Sequence, residues 1–148
     1  MKTEETTAIN SLIIINNDRY EGYKTAAEET KDADLKAMFT SFSTQSKGFG
    51  AELKKFVDNS EEPGKDETTN SGKLFRVWMD LKAAISGNDR KAILSSCEFG
   101  EDAAKKTYED VLKDTTHLPA EALDTIKRQQ TEIKQAHDKV KAMRDSIA

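Results

Sequence analysis

The chain has 148 residues, the size of one ordinary domain, and 23 basic against 27 acidic residues give a net charge of −4. That balance excludes the basic stripe of a dedicated nucleic-acid binder, and a single cysteine excludes a disulfide framework or a cysteine-based zinc cluster. Two prolines stand where average usage of about 5% predicts roughly seven, so long helices can run without interruption. The opening MKTEETTAINSLIII puts Glu4 and Glu5 before a short apolar cluster, which is not a secretory signal. No window approaches ~20 apolar residues, so no membrane span is expected and the expected location is the cytoplasm.

Five segments carry the 3.6-residue apolar period of helices, and none alternates with period 2. Residues 4–30 place Ile9, Leu12, Ile13, Tyr20, Tyr23 and Ala27 on one stripe. Residues 33–58 do the same with Leu35, Met38, Phe42, Phe49, Leu53 and Phe56, and Asp32 can cap their start. Residues 59–71 hold Pro63 and Gly64 among acidic and small polar residues and read as the main loop. A shorter helix over 72–86 carries Leu74, Phe75, Trp78, Leu81 and Ile85. Gly87 and Asn88 then read as a C-cap and the next N-cap. Residues 89–114 follow with Ile93, Cys97, Ala104, Tyr108 and Val111. Cys97 reads as a reduced core thiol, and His117 as a solvated turn residue. Pro119, at a first helical position, opens a last helix over 119–147 with Leu123, Ile126, Ile133, Val140 and Ile147.

A helix of about 26 residues is about 39 Å long, and four such helices pack as a four-helix bundle. Short turns join the first pair and the last pair as antiparallel hairpins. The loop and the short Trp78 helix make one long crossover between them, which is the ferritin-like arrangement. Residues 1–148 are therefore expected to form a single all-α ferritin-like domain with a short extra helix in the crossover. An up-down-up-down bundle with an end-packed extra helix is the other topology the pattern allows.

Polar groups fall on these stripes. Asn16 lies on the first, Gln45 and Glu52 on the second, and Gln130, His137 and Arg144 on the last, with Glu101 close to the fourth-helix stripe. One reading is a metal site. Di-iron bundles take a glutamate from each of two helices and a Glu-x-x-His pair from each of the other two. That pattern is broken here. Gly48 stands three residues after Gln45, Ile133 three after Gln130, and Lys134 three before His137. The reduced candidate ligand set is Glu52, Glu101 and His137, for iron or another divalent metal. The other reading is a hydrogen-bonded core network that includes Asn16, Gln45 and Gln130, with no metal or other cofactor. Gly22, Gly48, Gly50 and Gly100 lie inside helices, where each costs about 1 kcal/mol against alanine, and so point to close helix approach.

The stretch RVWMDLKAAISGNDRKAILSSCEFGEDAAKKTYEDVL, with EGYKTAAEE before it and AHDKVKAMRD after it, resembles a bacterial family of ferritin-like four-helix-bundle proteins of unknown function. The matching motif positions are Glu21, the C-E-x-G-E group (Cys97, Glu98, Gly100 and Glu101) and His137. The resemblance implies a ferritin-like fold and a cytoplasmic bacterial protein linked to stress, and it implies no established reaction. The expected function is that of a non-enzymatic, self-associating protein, a dimer for preference, with neither a nucleic-acid nor a membrane partner. The alternative is a metal protein acting on oxygen, peroxide or iron with the reduced ligand set.

Overall fold

The computed structural model describes residues 4–57 and 72–147, with side chains placed for 6–57 and 76–147. It holds α1 (Glu4–Glu29), α2 (Ala33–Lys54), α3 (Gly72–Ser86), α4 (Arg90–Leu112) and α5 (Ala120–Asp145), and no strand among the described residues. The expected loop over 59–71 lies outside the described residues. So do the side chains of Leu74 and Phe75.

The apolar stripes decide how the helices meet. Tyr23 and Ala26 near the end of α1 join Leu35 and Phe39 near the start of α2, Ile93 and Cys97 near the start of α4, and Val140 near the end of α5. At the opposite end, Ile9 and Leu12 join Phe49, Leu53, Tyr108, Ala122 and Ile126. Hence α1 runs antiparallel to α2 and α4, and α5 runs antiparallel to the same two. Helix α1 packs on α2 and α4, and α5 packs on the same pair, so α2 and α4 run parallel on one diagonal. Parallel α2 and α4 cannot be joined by a short turn, so the chain must travel the length of the bundle between them. Helix α3 lies on that route and packs over α1 and α4. It is anchored by Leu81 and Ile85, each fully or nearly buried, at roughly 1.5–3 kcal/mol per side chain.

The helix ends depart from the sequence reading in local ways. Asp32 occupies the N-cap position of α2 but makes no side-chain cap bond; Arg90 reaches both Asp32 and Asp34 instead. The left-handed residue after α3 is Asn88 (φ 53°) and not Gly87. An asparagine adopts that conformation more easily than most residues, so glycine is not required. The N-cap of α4 is Asp89, whose carboxylate accepts from the Ala92 N–H at 3.1 Å. Pro119 is the extended residue before α5 and not its first helical one. Helix α2 stops at Lys54, and tighter turns through Val57 satisfy its last carbonyls.

Two helical glycines make room for Trp78. A Cβ on Gly22 would lie 2.5 Å from the indole Cε3, and one on Gly100 would lie 3.3 Å from Cη2. The ring enters between α1 and α4 and meets Tyr23 edge-on at 5.5 Å. Close approach therefore explains Gly22 and Gly100, but the partner is a side chain rather than a helix backbone. Nothing lies within 4 Å of a Cβ built on Gly48 or Gly50, and nothing in the structure explains those two.

Candidate functional site

Two apolar clusters fill the ends of the bundle, and a polar layer separates them. Its centre is Arg19 on α1, a residue the periodicity reading passed over. The Arg19 guanidinium grips the Glu101 carboxylate with two bonds, Nε to Oε2 at 2.8 Å and Nη2 to Oε1 at 2.7 Å. Its Nη1 donates to Gln45 Oε1 and to Ser46 Oγ, both at 2.8 Å. Neither charged side chain is more than 2% exposed. The guanidinium also lies 5.1 Å from the Phe42 ring centre and 5.5 Å from that of Tyr23. Burial alone would lower the Arg19 pKa, but the adjacent Glu101 charge overrides it, so the group is held above its ordinary value. The pair is charged and geometrically locked.

A second chain of bonds runs one turn away. Asn16 Nδ2 donates to the Tyr108 hydroxyl at 2.9 Å, and that hydroxyl donates to Gln129 Oε1 at 2.7 Å. Gln129 Nε2 donates to the Phe49 carbonyl at 3.3 Å and to Glu52 Oε1 at 3.2 Å. The other Glu52 oxygen pairs with Arg128 near the surface. Burial pushes the Tyr108 phenol well up. The α5 amide in this network is Gln129, fully buried, whereas the neighbouring Gln130 is only half-buried and stands outside the bonds described. A stripe drawn at 100° per residue passes between the two, and packing against Tyr108 selects the first.

His137 belongs to a third place, the seam between α4 and α5. Its Nε2 lies 2.8 Å from Asp102 Oδ1 and 3.9 Å from Glu98 Oε1, and its Nδ1 lies 3.1 Å from Asp138 Oδ1. Arg144 pairs with the other Glu98 oxygen. The imidazole ring, and then Lys134, hold the Asp138 carboxyl below its usual range.

Glu52, Glu101 and His137 therefore take part in three separate networks. A bundle-core cation would need Glu101, but both its oxygens are committed to Arg19. The residues present do not fit a di-iron centre at mid-core, because a guanidinium occupies the position between the carboxylate and the α2 amide. Asn16 and Gln45 do enter core networks, although different ones.

The motif positions of the sequence each acquire a physical task. Cys97 is a free thiol, fully buried, and burial pushes its pKa far up. Glu98 faces His137 and Arg144, Gly100 admits the indole, and Glu101 holds Arg19. Arg19 could have been suspected from its place midway between Asn16 and Tyr23 on the α1 stripe. No spacing rule marks it, since its partner lies on another helix.

The described helices α1 to α4 coincide with a known sequence family. The model of a domain of unknown function, DUF2383, matches residues 4–114. The chain belongs to the DUF2383 family. The match covers Arg19, Gln45, Trp78 and the C-E-x-G-E group, so the DUF2383 segment carries the central ion pair and the indole slot, while α5 with Gln129 and His137 lies beyond it. No curated protein matches the chain. Among the described residues no helix is long and apolar enough to cross a membrane.

Proposed function

We propose that this protein is a ferritin-like bundle of the non-enzymatic kind: a cytoplasmic, self-associating, stress-linked structural protein whose mid-core cation is Arg19 rather than a metal ion. The observation that carries this reading is the two-pronged Arg19–Glu101 pair, with Gln45 and Ser46 completing the guanidinium's shell. A metal site needs carboxylate lone pairs that point at a shared empty centre. Here the bonds that would serve a metal serve a covalently attached cation, which cannot change oxidation state. The parallel α2 and α4 with a crossover between them are what a ferritin-like connection requires.

Self-association draws on the surface. Phe99 is 64% exposed and Met79 49% exposed, the two large apolar side chains left open among the described residues. Covering them against a second copy would remove apolar surface from water, and a dimer is the simplest closed assembly.

The deciding experiment is anaerobic Fe(II) titration of the purified protein followed by exposure to oxygen. The expected result is no ferroxidase turnover. Turnover with two irons per chain that disappears in Glu101→Gln would sink the reading. Sedimentation of the wild type and of Phe99→Glu tests the second part. A wild-type dimer that becomes monomeric in the variant is expected, and a wild-type monomer at every concentration would remove self-association from the proposal.

A further inference from the structure

We infer that Glu98, Asp102 and His137 form a binding site for one first-row divalent transition-metal ion on the α4–α5 seam, separate from the bundle core. One imidazole nitrogen and one oxygen from each carboxylate all lie within 4.8 Å of one another. Donor atoms about 2.1 Å from a common ion sit roughly 3–3.5 Å apart, so the set needs only a small closing movement. Asp102 can supply it, because its side chain is 50% exposed, whereas Glu98 and His137 are held at 15% and 11%.

Four features of the surroundings suit a cation. Glu98 and Asp102 are four residues apart on α4, so one helix presents both carboxylates on the same side, and α5 brings the imidazole against them. Asp138 faces the second ring nitrogen at 3.1 Å, the outer carboxylate contact that fixes the ring and its tautomer in histidine metal sites. With Nδ1 turned to Asp138, Nε2 is the ring nitrogen that faces Glu98 and Asp102 and would ligate the ion. Arg144 engages only the far oxygen of Glu98 and leaves Oε1 turned toward His137. Three carboxylates, Glu98, Asp102 and Asp138, face the ring nitrogens, while Arg144 and Lys134 pair with the outer oxygens of Glu98 and Asp138. Acidic charge is therefore in excess where the imidazole nitrogen points.

One nitrogen and two oxygens favour a borderline ion such as Zn²⁺, Co²⁺ or Ni²⁺ over Ca²⁺ or Mg²⁺, which prefer all-oxygen shells. The half-exposed Asp102 leaves water to complete the coordination. Such an ion would tie α4 to α5. Its failure to bind would leave the Arg19 reading untouched, since the two share no residue.

The test is calorimetric titration of Zn²⁺ alone into the full chain, with Co²⁺ absorption as the optical readout of coordination. The expected result is one ion per chain, a raised Tm with Zn²⁺, and affinity weakened by about tenfold or more in Asp102→Asn and in Glu98→Gln. Asp102 is exposed enough that its variant should fold, as circular dichroism would check. His117→Ala, the control for the other histidine, should bind as the wild type does. The inference is overturned by a wild type that shows no saturable binding up to about 1 mM Zn²⁺. It is equally overturned if both carboxylate variants bind unchanged, or if His117→Ala abolishes binding.

Discussion

Arg19 and Glu101 stand 82 positions apart in the chain and meet as a buried, doubly hydrogen-bonded ion pair at 2.7 and 2.8 Å. Removing either partner alone strands a charge in an apolar interior. Arg19→Met or Glu101→Leu is expected to cost about 3–5 kcal/mol. The Arg19→Met, Glu101→Leu double variant is expected to recover much of that loss, because no charge is left unpaired. Urea denaturation of the four proteins as a cycle checks this. Additive losses would show that the two residues are not coupled.

The glycines give a prediction of opposite signs. Gly22→Ala drives a methyl into the Trp78 ring, and overpacking of about 1–3 kcal/mol outweighs the helix gain of about 1 kcal/mol. Gly48→Ala meets nothing and keeps the helix gain alone, so it should stabilise by about 0.5–1 kcal/mol. Thermal denaturation gives the signs. Fluorescence of the single tryptophan reports whether the first variant displaces the indole.

Tyr108→Phe removes the hydroxyl that accepts from Asn16 and donates to Gln129. Gln129 is fully buried and would lose the donor to its Oε1. The expected loss is about 1–3 kcal/mol with no change in helix content. Chemical denaturation followed by circular dichroism measures both quantities, and an unchanged midpoint would show that the hydroxyl is dispensable.

Burial raises the pKa values of Cys97, Tyr23 and Tyr108 in the folded chain. The unfolded chain therefore releases these protons at lower pH than the folded one. Their contribution to stability is complete below the ordinary thiol and phenol range and is lost as pH rises toward the folded values. Denaturation midpoints should fall steadily above about pH 9. Cys97 should also resist a thiol reagent at pH 8 until urea is added, and rapid labelling of the native protein would contradict its burial.

The helices and their breaks were legible in the chain because they depend on local chemistry. Apolar residues three and four apart define a buried stripe wherever the helix goes. Pro119 and the Gly87–Asn88 pair sit at helix boundaries, although the left-handed turn fell to Asn88. The four helical glycines did not mark close helix approach: at Gly22 and Gly100 the close neighbour is the Trp78 ring, and no atom lies within 4 Å of a Cβ built on Gly48 or Gly50. The stripe was less decisive for polar residues. Gln129 and Gln130 differ by a fraction of a turn, and only contact with Tyr108 separates them.

The sequence by itself determined five helical segments, their amphipathic faces and the breaks between them, and left two bundle topologies open. These follow from residue spacing within each helix and from the prolines and glycines between them. Only the tertiary structure decided which polar groups meet. Arg19, which the stripe alone does not single out, acquires its role when Glu101 arrives from α4 to balance it. His137 reads either as a metal ligand or as a hydrogen-bonded core histidine, and the structure sets it against Glu98 and Asp102. The physical reason is that burying a charge is unfavourable on its own and tolerable only with a partner. Those partners lie on other helices, so no pattern within one segment can announce them.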